Sequence, residues 1–146
     1  MKKLFIYYSL TGNGDLIAKE LKLKGYDTRK VIPKKELPKS FALKIMTGGF
    51  KALIKAKDKL VDFDNNISDY DEVVIGSPIW NSRLSSPINT VLKEIDLKDK
   101  KVSFIFYSGS GDTNIATKLV KEKYNANVIN LKEPLKHEEE LKKIEL

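Results

Sequence analysis

Leu4-Phe5-Ile6-Tyr7-Tyr8-Ser9-Leu10-Thr11-Gly12-Asn13-Gly14 is the stretch whose reading decides the fold. Its first five residues form an unbroken apolar run of β-prone side chains, the pattern of a strand covered on both faces. The character changes at Ser9, where hydroxyls and an amide alternate with glycines. Leu16, Ile17, Leu21 and Leu23 then recur at helical spacing, and Gly25 ends that helix. Strand, polar glycine-bearing loop and helix follow one another within about two dozen residues, which opens a βαβ unit.

The pattern continues along the chain. Tyr26–Ile32, Val73-Val74-Ile75, Val102–Tyr107 and Asn127–Leu131 read as further strands. Ile88, Val91, Leu92 and Ile95 mark a helix between the third and fourth runs, and Ile115, Ala116, Leu119 and Val120 mark one between the fourth and fifth. Leu135–Leu146 reads as a short charged helix. Five strands separated by helix-length segments predict an α/β fold with a parallel sheet and helices on both faces. Between Pro33 and Asn66 the pattern is less regular. Ser40 caps a predicted helix through Met46, Gly48-Gly49 breaks it, and Phe50–Lys57 resumes it. No linker or repeat divides the chain, so residues 1–146 are read as one domain. At 146 residues, such a domain buries roughly two-thirds of its unfolded surface.

Composition removes several chemistries. There is no Cys, which excludes disulfides, thiolate nucleophiles and Cys-ligated metals. The single His, His137, lies among acids, a poor setting for a triad or a multi-His metal site. The apolar runs are far shorter than the ~20 residues that span a bilayer, so no membrane insertion is expected. Met1-Lys2-Lys3 leads straight into a strand without a small-residue cleavage site, and the expected location is cytoplasmic. The net charge is +7, but the basic residues are nearly all Lys, with Arg only at Arg29 and Arg83. Base readout favours Arg, so no specific nucleic acid is expected. The densest basic stretch, Lys34 to Lys59, suits an acidic partner protein.

In an open parallel sheet, ligands bind beyond the carboxyl ends of the strands. Three loops there share a composition rich in Ser, Gly, Thr and Asn and free of Lys. In Ser9-Leu10-Thr11-Gly12-Asn13-Gly14, helix-start amides and polar side chains offer donors for an anion. A capped turn is the plainer alternative. The loop lacks the Gly-Lys-Ser/Thr of a nucleoside-triphosphate loop and suits a terminal monophosphate ester. Gly76-Ser77-Pro78-Ile79-Trp80-Asn81-Ser82-Arg83-Leu84-Ser85-Ser86-Pro87 holds the only Trp, readable as an aromatic wall for a flat ring or as a side chain folded onto its own helix. Pro87 fits a helix start with Ser86 as its cap. Ser108-Gly109-Ser110-Gly111-Asp112 offers small residues whose amides can reach a ring edge, with Asp112 as a helix cap. Asn114 stands where a dinucleotide fingerprint needs its third Gly.

With these motifs in this order, the chain resembles the flavodoxin family. Ser9-Leu10-Thr11-Gly12-Asn13 is similar to that family's FMN-phosphate loop. Gly76-Ser77-Pro78-Ile79-Trp80 with Pro87-Ile88, and Ser108-Gly109-Ser110-Gly111-Asp112, are similar to its two flavin-ring loops. The resemblance implies a flavodoxin-like three-layer sandwich with strand order 2-1-3-4-5 and FMN at the switch point. It also implies that Ser9, Thr11, Asn13 and the loop amides hold the phosphate, that Trp80 covers one ring face, and that Leu10, Gly12, Gly14, Ser77, Pro78, Ile79, Asn81, Ser108, Gly109, Ser110, Gly111 and Asp112 belong to the site. The implied function is one-electron transfer to redox partner proteins, acidic ones among them. An NAD(P)H-dependent flavin or quinone reductase and a flavin-free interaction module are the alternatives on the same scaffold. Gly14 departs from the family, which usually has Thr there. One lost neutral hydrogen bond corresponds to roughly two- to tenfold weaker FMN binding. The basic surface is the second departure.

Overall fold

The computed structural model describes residues 1–35 and 59–146. The helices expected at Ser40–Met46 and Phe50–Lys57, with the Gly48-Gly49 break between them, fall outside those residues.

The alternation along the first run sets up the layers. Leu4 and Ile6 face one side of the sheet, and Phe5 and Tyr7 face the other. This strand, β1 (Lys3–Tyr7), leads to helix α1 (Asn13–Leu23) and then to β2 (Asp27–Lys30). There follow β3 (Glu72–Trp80), β4 (Arg83–Leu84), α2 (Ser86–Glu94), β5 (Lys101–Ser108), α3 (Asn114–Tyr124) and β6 (Asn127–Lys132). The parallel sheet has the order β2-β1-β3-β5-β6. The five principal strands therefore stand in the expected 2-1-3-4-5 order, with the short β4 as an antiparallel addition to β3.

Each face is closed by a different set of helices. Ile17, Ala18 and Leu21 of α1, together with Ile144 near the C-terminus, pack on Phe5, Tyr7, Val74, Ile105 and Tyr107. Ile88 and Val91 of α2, and Ala116 and Val120 of α3, pack on Leu4, Ile6, Ile75, Phe104 and Phe106. β3 sits centrally and is buried at every residue. β2 is an edge strand of polar and charged residues, Asp-Thr-Arg-Lys, which protects its open side from further pairing. Among the described residues, no helix is long and apolar enough to cross a membrane.

Four details differ from the sequence reading. β2 spans four residues, not Tyr26–Ile32, because Tyr26 and Val31 flank it as buried anchors. Ile115 and Leu119 are exposed, so α3 buries a narrower stripe than its apolar pattern predicts. The C-terminal segment forms a 3-10 turn over Glu138–Lys143. Ser85, not Ser86, takes the extended N-cap position of α2, with Pro87 in the first turn.

Candidate functional site

The step between β1 and β3 creates the site. β1 ends at Tyr7 opposite Gly76, but β3 runs four residues further, to Trp80. The stretch Ser77-Pro78-Ile79-Trp80, expected as loop, is strand. Gly76 accepts from the Tyr8 amide, so by alternation residue 78 also faces the β1 side. The donor that Pro78 lacks is therefore not missed, because β1 has already ended there. β3 then turns back through Asn81-Ser82 (φ 50° and 62°) into β4. Two consecutive left-handed residues make this a type I′ hairpin.

The first loop is organised around Ser9. Its Oγ accepts from the Gly12 and Gly14 amides, both at 3.1 Å. Gly12 adopts φ 100° at the N-cap of α1, a conformation that glycine takes without steric cost. Asn13 Nδ2 donates to Thr11 Oγ1 (3.3 Å), and Asn13 Oδ1 accepts from the Leu135 amide (3.0 Å). The Asn13 side chain thus braces the loop against the segment after β6. A serine oxygen that accepts twice still has its proton to donate. The Thr11 and Asn13 amides have no acceptor among the described residues. The loop therefore presents backbone amides, the Thr11 hydroxyl and the positive end of α1. These are neutral donors in a fixed array, which suits a phosphate monoester. Asp15, in the first turn of α1, is paired with Lys30 Nζ at 3.0 Å, which offsets its charge close to the loop.

A narrow cleft brings the three strand ends together. Leu10, Thr11 and Asn13 line it from the first loop, Pro78, Ile79 and Trp80 from the second, and Ser108 and Gly109 from the third. Trp80 is only 6% exposed and meets the Tyr8 ring edge-on at 6.2 Å. It is a wall residue held by strand and core, not a loop side chain.

The other expected residues are not in the described lining of the cleft. Ser9, Gly12 and Gly14 shape the first loop from behind. Ser77 is fully buried; its Oγ donates to the Pro78 carbonyl (2.8 Å) and accepts from the Ser85 amide (3.2 Å). Asn81 is exposed at the hairpin turn. Ser108 Oγ accepts from the Gly111 amide (2.9 Å), and Ser110 Oγ accepts from the Asp112 amide (3.2 Å), so the third loop folds on itself. Asp112 Oδ1 accepts from the Asn114 amide at the start of α3 (3.2 Å), although Thr113 occupies the N-cap position.

Two features were not visible in the sequence. Ser82 Oγ accepts from the Ile115 amide (2.9 Å), and its carbonyl accepts from the Ala116 amide (2.8 Å). A hairpin residue 33 positions away thus caps α3. Tyr107 also lines the cleft, and its hydroxyl donates to the Tyr8 carbonyl. It reads as a core residue of a buried strand, and it is one, but its polar end lies at the site. Burial pushes its phenol well above the ordinary value. A neighbouring phenol, Tyr7, is also raised by burial and by donating to Asp15.

A family model described as Flavodoxin matches residues 2–144. The chain belongs to the flavodoxin family. Comparison with curated proteins finds no match. Among solved structures, it is similar to a protein from Bacteroides eggerthii DSM 20697 provisionally described as a flavoprotein. The two share 26% identity over 88% of this chain and 85% of that one, with a TM-score of 0.71. It is also similar in fold to a flavoprotein from Lactobacillus acidophilus NCFM solved in complex with FMN. The identity there is 22%, coverage is 94% and 97%, and the TM-score is 0.60. The flavodoxin topology explains why three polar loops converge at one end of this sheet, since the strand order reverses between β1 and β3.

Proposed function

We propose that this flavodoxin-family chain binds FMN in the cleft and carries electrons between protein partners. The observation that carries the reading is the first loop, where the Ser9 bonds leave the Thr11 and Asn13 amides open beside the Thr11 hydroxyl. That donor set fits a monoester dianion. Pro78, Ile79 and Trp80 on one side and Ser108 and Gly109 on the other fit the edges and faces of a flat heterocycle. The FMN complex of the L. acidophilus flavoprotein supports the same choice of ligand.

Bound FMN would supply the electron-accepting chemistry, and this chain's residues bind, orient and shield it. Among the described residues, Tyr107 is the one titratable side chain lining the cleft, and burial holds its phenol protonated. The lining thus offers hydrogen bonds and apolar contact, without a group poised as acid or base near neutral pH. The net charge of +7 fits redox partners with acidic faces.

The test is a visible absorption spectrum of the purified protein, followed by FMN titration of the stripped form and an assay of NAD(P)H oxidation. A carrier takes up FMN stoichiometrically and oxidises NAD(P)H slowly. Rapid turnover with a quinone would replace the carrier reading with the reductase. A colourless protein that ignores FMN would leave the interaction module.

A further inference from the structure

We propose that Tyr107 is the positioning residue of the phosphate loop, its hydroxyl filling the space that a side chain at position 14 would need. The inference rests on the FMN reading for its ligand and on contacts within this chain for its geometry. Tyr107 reaches the loop from β5, 99 residues along the chain from the Tyr8 carbonyl to which it donates. Tyr8 is the residue before Ser9. The bond therefore fixes the peptide that passes the chain from strand to loop, and Ser9 Oγ fixes the Gly12 and Gly14 amides in turn.

Position 14 shows why the arrangement is exclusive. A Cβ there would lie 2.7 Å from the Tyr107 hydroxyl and 2.9 Å from both Ser9 Cβ and Tyr7 Cδ2. Real side chains do not approach so closely. Gly14 therefore admits the phenol, and the phenol, together with Ser9 Cβ and Tyr7 Cδ2, excludes any residue but glycine at 14. The phosphate end of the cleft consequently has no side-chain donor from the first turn of α1 at this position. Its grip on an anion depends on how well the remaining amides are held, and Tyr107 holds them. Burial keeps the hydroxyl protonated, so it remains a donor throughout the neutral range.

A merely structural tyrosine would change stability and nothing else, so the test reads the phosphate separately from the ring. FMN and riboflavin dissociation constants are measured for the wild type, Tyr107→Phe, Gly14→Ala and the double variant. Loss of one neutral hydrogen bond corresponds to roughly a two- to tenfold effect. Tyr107→Phe should weaken FMN by about that factor and riboflavin by distinctly less. Gly14→Ala should weaken FMN further, and by less when Phe stands at 107, where the closest atom is gone. An unchanged FMN-to-riboflavin ratio in Tyr107→Phe, or additive effects in the double variant, would overturn the proposal. Urea unfolding of the same four flavin-free proteins reads the coupling without a ligand. If the wild type takes up no flavin, the proposed function fails. Nonadditive unfolding would then still support the pair, and additive unfolding would remove it.

Discussion

Ser9 shows how much one hydroxyl can organise. Its oxygen collects two amides at the start of α1 while the side chain stays almost wholly buried. Removing it leaves two donors without their acceptor. Ser9→Ala should therefore lower the stability of the flavin-free protein by about 1–2 kcal/mol, measured by urea unfolding. Trp80 offers a second test at this scale. As the only Trp it carries all the indole emission, and its place in the cleft wall predicts quenching when FMN binds. Trp80→Phe keeps most of the core packing and should raise the FMN dissociation constant about twofold or more. Quenching without any change in affinity would place Trp80 near the ring but not against it.

At the scale of elements, the hairpin links two parts of the site. Ser82 turns β3 into β4 and at the same time caps α3, through its Oγ on Ile115 and its carbonyl on Ala116. Ser82→Ala removes the side-chain half of that cap. The expected cost is about 0.5–2 kcal/mol, with faster amide exchange confined to the first turn of α3. This junction also marks where sequence reading stops. The strands were legible because buried parallel strands are written as unbroken apolar runs, and Leu4–Tyr8 and Val102–Tyr107 are such runs. The loop after β1 was legible because glycines and hydroxyls before a helix have few other uses. The extension of β3 was not, because Gly76-Ser77-Pro78 has the composition of a turn. Only the early end of β1 makes Pro78 acceptable in a strand. The cap on α3 was hidden for another reason, and Tyr107 was readable as core or as a contact on the other ring face but not as a donor to the Tyr8 carbonyl. Both act across long sequence separations that periodicity does not encode.

For the whole molecule, the buried phenols predict how stability depends on pH. Burial is the largest cause of the raised values of Tyr7, Tyr26 and Tyr107, and donation to Asp15 and Glu72 adds to the first two. Each folded phenol holds its proton more tightly than the unfolded chain, where tyrosine ionises near pH ~10. Above that value the unfolded state binds fewer protons, so stability falls as pH rises. Below it, these groups contribute their full stabilisation. Chemical unfolding should show a constant contribution from them through neutral pH and a decline on the alkaline side. The tyrosinate absorbance of the folded protein should appear late for these three, and also for Tyr70, which is raised chiefly by donating to Asp27. The uneven lengths of β1 and β3 have one more consequence. They form a terrace, so the wall around Pro78 and Ile79 is backbone locked into the sheet by its pairing with Tyr107 and Leu84. Dipoles anchored in that way are already oriented before charge arrives. A ligand settling on this ledge would find little scenery to rearrange.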